Sequence, residues 1–112
     1  MRLTSDFFVS ALLRRCAAEG VVAVLRRRGA AEAGAVFVKV DRLDGRARLY
    51  GPAPQTALAG REGERLFHRL HADEDVDPAD AEARIAREIR FDSDLWLVEI
   101  EDRAGRSFLD LA

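Results

Sequence analysis

The chain has no asparagine, a single lysine among its 18 basic residues, one cysteine, three prolines and three isoleucines in 112 residues. Each scarcity excludes something. With Cys16 alone there is no intrachain disulfide and no paired-thiol motif, so the fold must be held by its core, and a reducing, cytoplasmic setting is expected. No apolar run approaches the roughly 18 residues needed to cross a bilayer. The stretch "FFVSALL" is followed by Arg14 and Arg15 rather than by a small-residue cleavage site, so neither a membrane anchor nor a signal peptide is expected. A Gly-rich phosphate loop, a nucleophile elbow and a helical His-Glu-x-x-His are also missing, which argues against an enzyme. No catalytic residue, metal ligand or cofactor is assigned. The arginine and alanine excess follows GC-rich codon usage, so the arginines by themselves are weak grounds for nucleic-acid binding.

What is present describes an ordinary globular protein. Apolar residues make up 48% and charged residues 34%, well away from a disordered composition. A chain of this length forms one domain, residues 1–112, with one core. Residues 1–50 carry ten basic and five acidic groups (+5) and residues 51–112 carry eight and fifteen (−7), which gives the net −2. Folded together, the halves neutralise each other.

"TSDFFVSALLRRCAAEG" reads as a helix capped by Thr4 or Ser5 and ended by Gly20, with Val9, Leu12, Leu13 and Cys16 on its apolar face. Cys16 is then a structural thiol. "VVAVLRRR" reads as a strand, and "GAAEAG" leads into a second, "AVFVKVDRL". Asp44-Gly45 predicts a two-residue hairpin that sets Leu43 opposite Arg46, Asp41 opposite Arg48, Val40 opposite Leu49 and Lys39 opposite Tyr50. Val36, Val38, Val40, Ala47 and Leu49 then share one face; Lys39, Asp41, Arg48 and Tyr50 share the other.

"GPAPQ" ends that strand, and "RLFHRLH" is a candidate short edge strand in the poorly patterned stretch 56–75. Asp77 and Pro78 open a second helix, residues 77–91, with Ala81, Ile85 and Ile89 as its apolar stripe. "DLWLVEIED" follows as a strand. Asp92 and Asp94 mark the junction before it, and Asp102 opens a three-residue loop with Gly105 in the left-handed position. That loop is expected to return the chain as "RSFL", with Ile100 opposite Phe108 and Asp102 opposite Arg106. The expected fold is α+β, an antiparallel sheet of four to five strands with two helices packed on it, in the order α-β-β-β-(β)-α-β-β. Trp96, Val98, Ile100, Val38, Val40, Leu49, Leu12, Ile85 and Ile89 should form the core.

In "SALLRR", "GAVFVKVDRLDGRARLYGPAP" and "FDSDLWLVEIEDRAG" the chain resembles a family of short alphaproteobacterial proteins known as domain of unknown function 1491. The resemblance runs over nearly the whole length. It implies origin and size class, and no activity, substrate or cofactor.

Four constellations compete for a function. Glu99 and Glu101 lie two residues apart on one strand face, about 7 Å between α-carbons, a spacing at which carboxylates divide acid and base roles or share a divalent ion. With Asp41 they define a metal-dependent hydrolase reading; the plainer one pairs them with Lys39, Arg48 or Arg26 across strands. His68 and His71, before Asp73, Glu74 and Asp75, suggest metal, but spacing by three in an extended segment puts the imidazoles on opposite faces. Lys39, Arg48 and Tyr50 define a nucleic-acid platform, opposed by acidic neighbours and by the pI of about 5.7. Finally, Val22 or Val24, Phe37, Leu95 and Leu97 fall on a face left over by the predicted core. Such an apolar patch marks self-association or partner docking, the leading expectation, unless the second helix covers it.

Overall fold

The structure, a computed structural model, describes residues 3–58, 60–61 and 64–112. Positions 59, 62 and 63, within the stretch that the sequence pattern leaves unread, lie outside the described residues. The elements run α1 (Ser5–Ala18), β1 (Val22–Arg27), β2 (Val36–Asp41), β3 (Ala47–Pro52), a 3-10 turn (Gln55–Leu58), β4 (Phe67–Arg69), α2 (Pro78–Phe91) and β5 (Trp96–Glu101). This is the expected α+β class, with both helices and the short edge strand in place.

The caps follow sequence chemistry. Thr4 Oγ1 accepts from Phe7 N at 3.2 Å, and Asp77 Oδ1 accepts from Ala79 N at 2.8 Å ahead of Pro78. Gly20, at φ 72°, ends the first helical segment. Asp92 Oδ1 accepts from Asp94 N at 2.9 Å, so these two acids do build the helix-to-strand junction.

The sheet departs from expectation in its order, β1-β5-β2-β3-β4. Its β1–β5, β2–β3 and β3–β4 pairs are antiparallel, whereas β2 and β5 are parallel, so the sheet is mixed rather than purely antiparallel. The chain passes through β3, β4 and α2 between β2 and β5, and that crossover returns it in the direction of β2. Residues 106–109 form no strand against β5. Asp102 instead captures Arg106 directly, accepting from its backbone N at 2.8 Å and from Nε at 3.0 Å. The last residues run to the other side of the molecule, where Leu111 bridges Phe67.

The β2–β3 register is shifted by one residue from that expected of a two-residue turn. Val38 faces Tyr50, Lys39 faces Leu49, Val40 faces Arg48 and Asp41 faces Ala47. The Asp41 carboxylate accepts from Leu43 N at 2.8 Å and starts the turn early; Leu43 at φ 62° and Gly45 at φ 84° complete a three-residue connection closed by Arg42 N to Arg46 O. Because side chains alternate, the slip moves every β3 residue to the other face. Ala47 and Leu49 join the face of Lys39 and Asp41, while Arg48 and Tyr50 join that of Val38 and Val40.

Both faces are therefore apolar, and each has its own helix. Val9, Leu12 and Cys16 of α1 pack on Val36, Val38, Val40, Tyr50, Trp96, Val98 and Ile100. Ile85 of α2 packs on Phe37, Leu49, Leu95 and Leu97, with Ile89 beside them. The single core expected from the sequence is two half-cores across one sheet. The apolar face assigned to association is the second of them: α2 covers Phe37, Leu95 and Leu97, leaving only Val22 and Val24 of that group exposed.

Candidate functional site

Alternation along β2 and β5 brings Lys39 and Glu99 opposite each other on the α2 face. Glu82 in the first turns of α2 and Arg26 at the β1 bulge complete a group of four charges. The Lys39 ammonium lies 2.6 Å from Glu82 Oε2 and 3.7 Å from Glu99 Oε1, while Arg26 Nη1 reaches Glu82 Oε2 at 2.7 Å and Glu99 Oε1 at 2.9 Å. Lys39 is nearly sealed, with 7% of its side chain exposed. This is the cross-strand pairing of Glu99 with Lys39 and Arg26 that the sequence suggests, joined by a carboxylate, Glu82, which no strand pattern points to.

The Arg26 guanidinium, with help from Lys39, holds the Glu82 carboxyl at about 2 against an ordinary 4.5; the raised Arg26 is the same interaction seen from its partner. A depressed carboxyl stabilises the fold fully above its unfolded value and ceases to do so as pH falls through its folded value. Glu82 is 40% exposed, so solvent screening leaves about 1 kcal/mol. Glu82→Gln should cost that amount near neutrality, with the difference vanishing between about pH 4.5 and pH 2. Urea unfolding at a series of pH values checks this, and a pH-independent difference would show that the pair does not act through ionisation.

Arg48 and Tyr50 lie on the opposite face from Lys39, so the three do not form one platform. Tyr50 is 5% exposed and packs in the α1 half-core, unavailable for stacking. Arg48 is clasped by the loop before α2: Nε meets Asp75 Oδ1 at 2.8 Å and Nη2 meets Glu74 Oε1 at 2.8 Å. Arg42 binds both oxygens of Asp75 at 3.1 Å, and Arg46 Nη1 lies 3.6 Å away. Hydrogen bonding by Arg48 and then Arg42 lowers the Asp75 pKa. The pairing expected between Asp41 and Arg48 is not made, because the register shift puts them on opposite faces.

Glu101 shares the face of Lys39 and Glu99 and stands beside Asp41 across the strands, with no ion pair among the described residues. Among the described residues no group of three or more His, Cys, Asp or Glu side chains is placed to hold a metal ion. His71 is occupied structurally. Its Nε2 accepts from Leu49 N at 3.0 Å while Nδ1 meets the Asp73 carbonyl at 2.7 Å, so the ring stands in for a strand partner of β3. Cys16 is fully buried, and that burial pushes its thiol pKa up, away from reactivity.

The two sheet edges differ. Beyond β4, the C-terminal residues cover the edge at Phe67: Phe67 N donates to Asp110 O and Ala112 N to Phe67 O, each at 2.9 Å. Beyond β1 no strand is paired among the described residues, and Val22 and Val24 are 58% and 50% exposed.

An α+β domain with a mixed five-stranded sheet and one helix on each face is thus the class that the geometry defines. Its sequence matches the family described as "Protein of unknown function (DUF1491)" over residues 3–110, and the chain belongs to that family. The solution structure of a protein from A. tumefaciens is similar, with a TM-score of 0.83 and 46% identity over 100% of this chain and 96% of that one. A crystal structure of a DUF1491 family protein from Caulobacter crescentus CB15 gives 0.79 and 41% identity, covering 97% and 94% of the two chains. An NMR structure of a DUF1491 family protein from the same organism gives 0.79 and 43%, with the same coverage. No curated protein matches the chain.

Proposed function

We propose that this protein is a small non-catalytic interaction domain that self-associates through the open edge of β1. The observation that carries the reading is the unequal treatment of the edges: β4 is covered at Phe67 by C-terminal residues of the chain, whereas among the described residues nothing pairs with the outer side of β1, beside two exposed valines. An open edge is a template for another strand, and valines flanking it supply apolar contact. The sheet faces are taken by α1 and α2, so association moves from the face to the edge. A cytoplasmic setting suits the lone buried Cys16.

The surface cavities favour the same reading. One of about 280 Å³ is lined by Leu3, Thr4, Glu32, Ala33 and Arg65, and another of about 150 Å³ by residues including Gly34, Pro52 and Phe67. Both are smaller than the roughly 300–1,000 Å³ of small-molecule sites. In the hydrolase reading Glu99 would share an ion with Glu101 and Asp41, yet it is held by two cations; in the nucleic-acid reading Lys39 and Arg48 would meet phosphate, yet each faces a carboxylate.

Sedimentation velocity over a wide concentration range tests the proposal. Concentration-dependent dimers are expected, with Val24→Lys weakening association about tenfold or more without lowering thermal stability at dilutions where both proteins are monomeric. A chain that stays monomeric at the highest concentrations, with Val24→Lys indistinguishable from it, would overturn the reading.

A further inference from the structure

The parity of hydrogen bonding across the sheet determines which β1 groups are free. Trp96 N donates to Ala35 O and Asp102 N to Asp41 O, so the even-numbered residues of β5 turn their backbone groups toward β2. The odd-numbered ones, Leu97, Glu99 and Glu101, therefore turn theirs toward β1. Val22 faces Glu101 and Val24 faces Glu99 in the antiparallel register, so the N–H and C=O groups of both valines are spent on β5. Ala23 and Leu25 are left with theirs pointing outward. The bulge between Leu25 and Arg27 reverses the parity beyond that point, and Val21 N is already bonded to Cys16 O. The open edge is short and bounded at both ends.

We infer that its occupant is β1 of a second copy, running antiparallel about a two-fold axis at Val24, with Ala23 of each copy opposite Leu25 of the other. The inference rests on the self-association reading and specifies its geometry. In this register every outward N–H and C=O of Ala23 and Leu25 finds a partner in the other copy. Centring the axis on Ala23 would leave the Leu25 carbonyl facing a Val21 whose N–H is occupied. Centring it on Leu25 would set Ala23 opposite Arg27, which faces inward past the bulge.

The side chains agree with this choice. Val24 meets Val24 of the second copy in a non-hydrogen-bonded pair, the closer type of antiparallel contact, on the face where α2 leaves both valines exposed. Arg26 of the second copy comes opposite Val22, whose own neighbour in β5 is Glu101. Each Arg26 guanidinium keeps Glu82 and Glu99 of its own copy as partners, and no two like charges stand directly opposite. The contact is isologous and closes as a dimer, extending one sheet through both copies.

Single cysteines on the full chain test the register, since Cys16 is buried and inert toward oxidant. Val24→Cys places two thiols across the axis at an α-carbon separation of about 4.5 Å, within disulfide reach. Val22→Cys, on an equally exposed side chain, places its thiols apart. Under mild oxidation Val24→Cys should cross-link at least about tenfold faster than Val22→Cys. In amide hydrogen exchange, Ala23 and Leu25 should slow with rising concentration while Val22 and Val24 do not change. Faster cross-linking through Val22→Cys, or dimers in sedimentation with neither variant cross-linking, would overturn this register and leave self-association standing. Absence of dimers would remove both.

Discussion

Trp96→Ala should destabilise the protein by about 3–5 kcal/mol, the largest effect expected of any single side chain here. Trp96 heads β5, is 1% exposed, and packs against Val36 in the α1 half-core. Its indole Nε1 donates to Ala30 O at 2.7 Å, and the Arg28 guanidinium lies 5.2 Å from the ring centroid. Truncation leaves a cavity, an Ala30 carbonyl with only the bond from Gly34 N at 3.2 Å, and an arginine without its aromatic surface. Trp96→Phe restores most of the volume but not the hydrogen bond, and should recover more than half of the loss. Denaturant unfolding at one fixed protein concentration measures both, since association shifts apparent stability. A loss below about 1 kcal/mol for Trp96→Ala would contradict the burial of the ring.

Gly29→Ala is the second large effect, about 3 kcal/mol or more. A Cβ at this position would stand 2.1 Å from Asp94 O, 2.6 Å from Leu95 C and 2.7 Å from Leu95 O. All three are backbone atoms of the segment entering β5, so no rotamer change relieves the clash. Gly34 meets the same Asp94 carbonyl from the other end of the connection, at 2.4 Å from an added Cβ. Between the two glycines Ala30 N donates to Asp94 O at 2.9 Å, and the Trp96 indole binds Ala30 O. This contact seats β5 between β1 and β2. Gly20→Ala is the control: nothing lies within 4 Å of its Cβ, and only the positive φ of 72° opposes it, for about 1 kcal/mol. Equal losses in the two variants would show that the close approach at Gly29 is not the cause.

The elements themselves were legible because their causes are local. Thr4 and Asp77 cap amides within their own first turns, Pro78 suits only a first helical position, and the apolar spacing of Val9, Leu12 and Cys16 carries a helical face in a few residues. Asp92 and Asp102 accept from amides two and four residues away, so their roles as junction and turn residues follow from spacing alone.

The candidate site was half legible. Lys39 and Glu99 share a face by alternation, whichever strands are neighbours, and they do meet. Glu82 sits in a helix whose pairing partner depends on where α2 docks, and nothing in the run "PADAEARIAREI" marks it above Arg84 or Glu88. Arg48 and Tyr50 were misplaced by one residue of register, which hinged on whether Asp41 or Asp44 begins the turn. Asp41 does, by accepting from Leu43 N.

By itself, then, the sequence determined the helices, the five strands that form, the absence of a disulfide framework and the alternation of each strand, because caps, turns and side-chain period are settled within a few residues; the return strand expected at 106–109 gives way to the Asp102–Arg106 contact. Tertiary structure alone decided the strand order, the parallel pairing of β2 with β5, the division of the apolar residues between two faces, and which edge stays open. Those choices depend on contacts between segments far apart in the chain: Ala30 with Asp94, Phe67 with Asp110 and Ala112, Ile85 with the β3–β2–β5 surface. A continuous apolar strand such as "VFVKV" fits a helix on either side, and only the docking of α2 settles which face is covered.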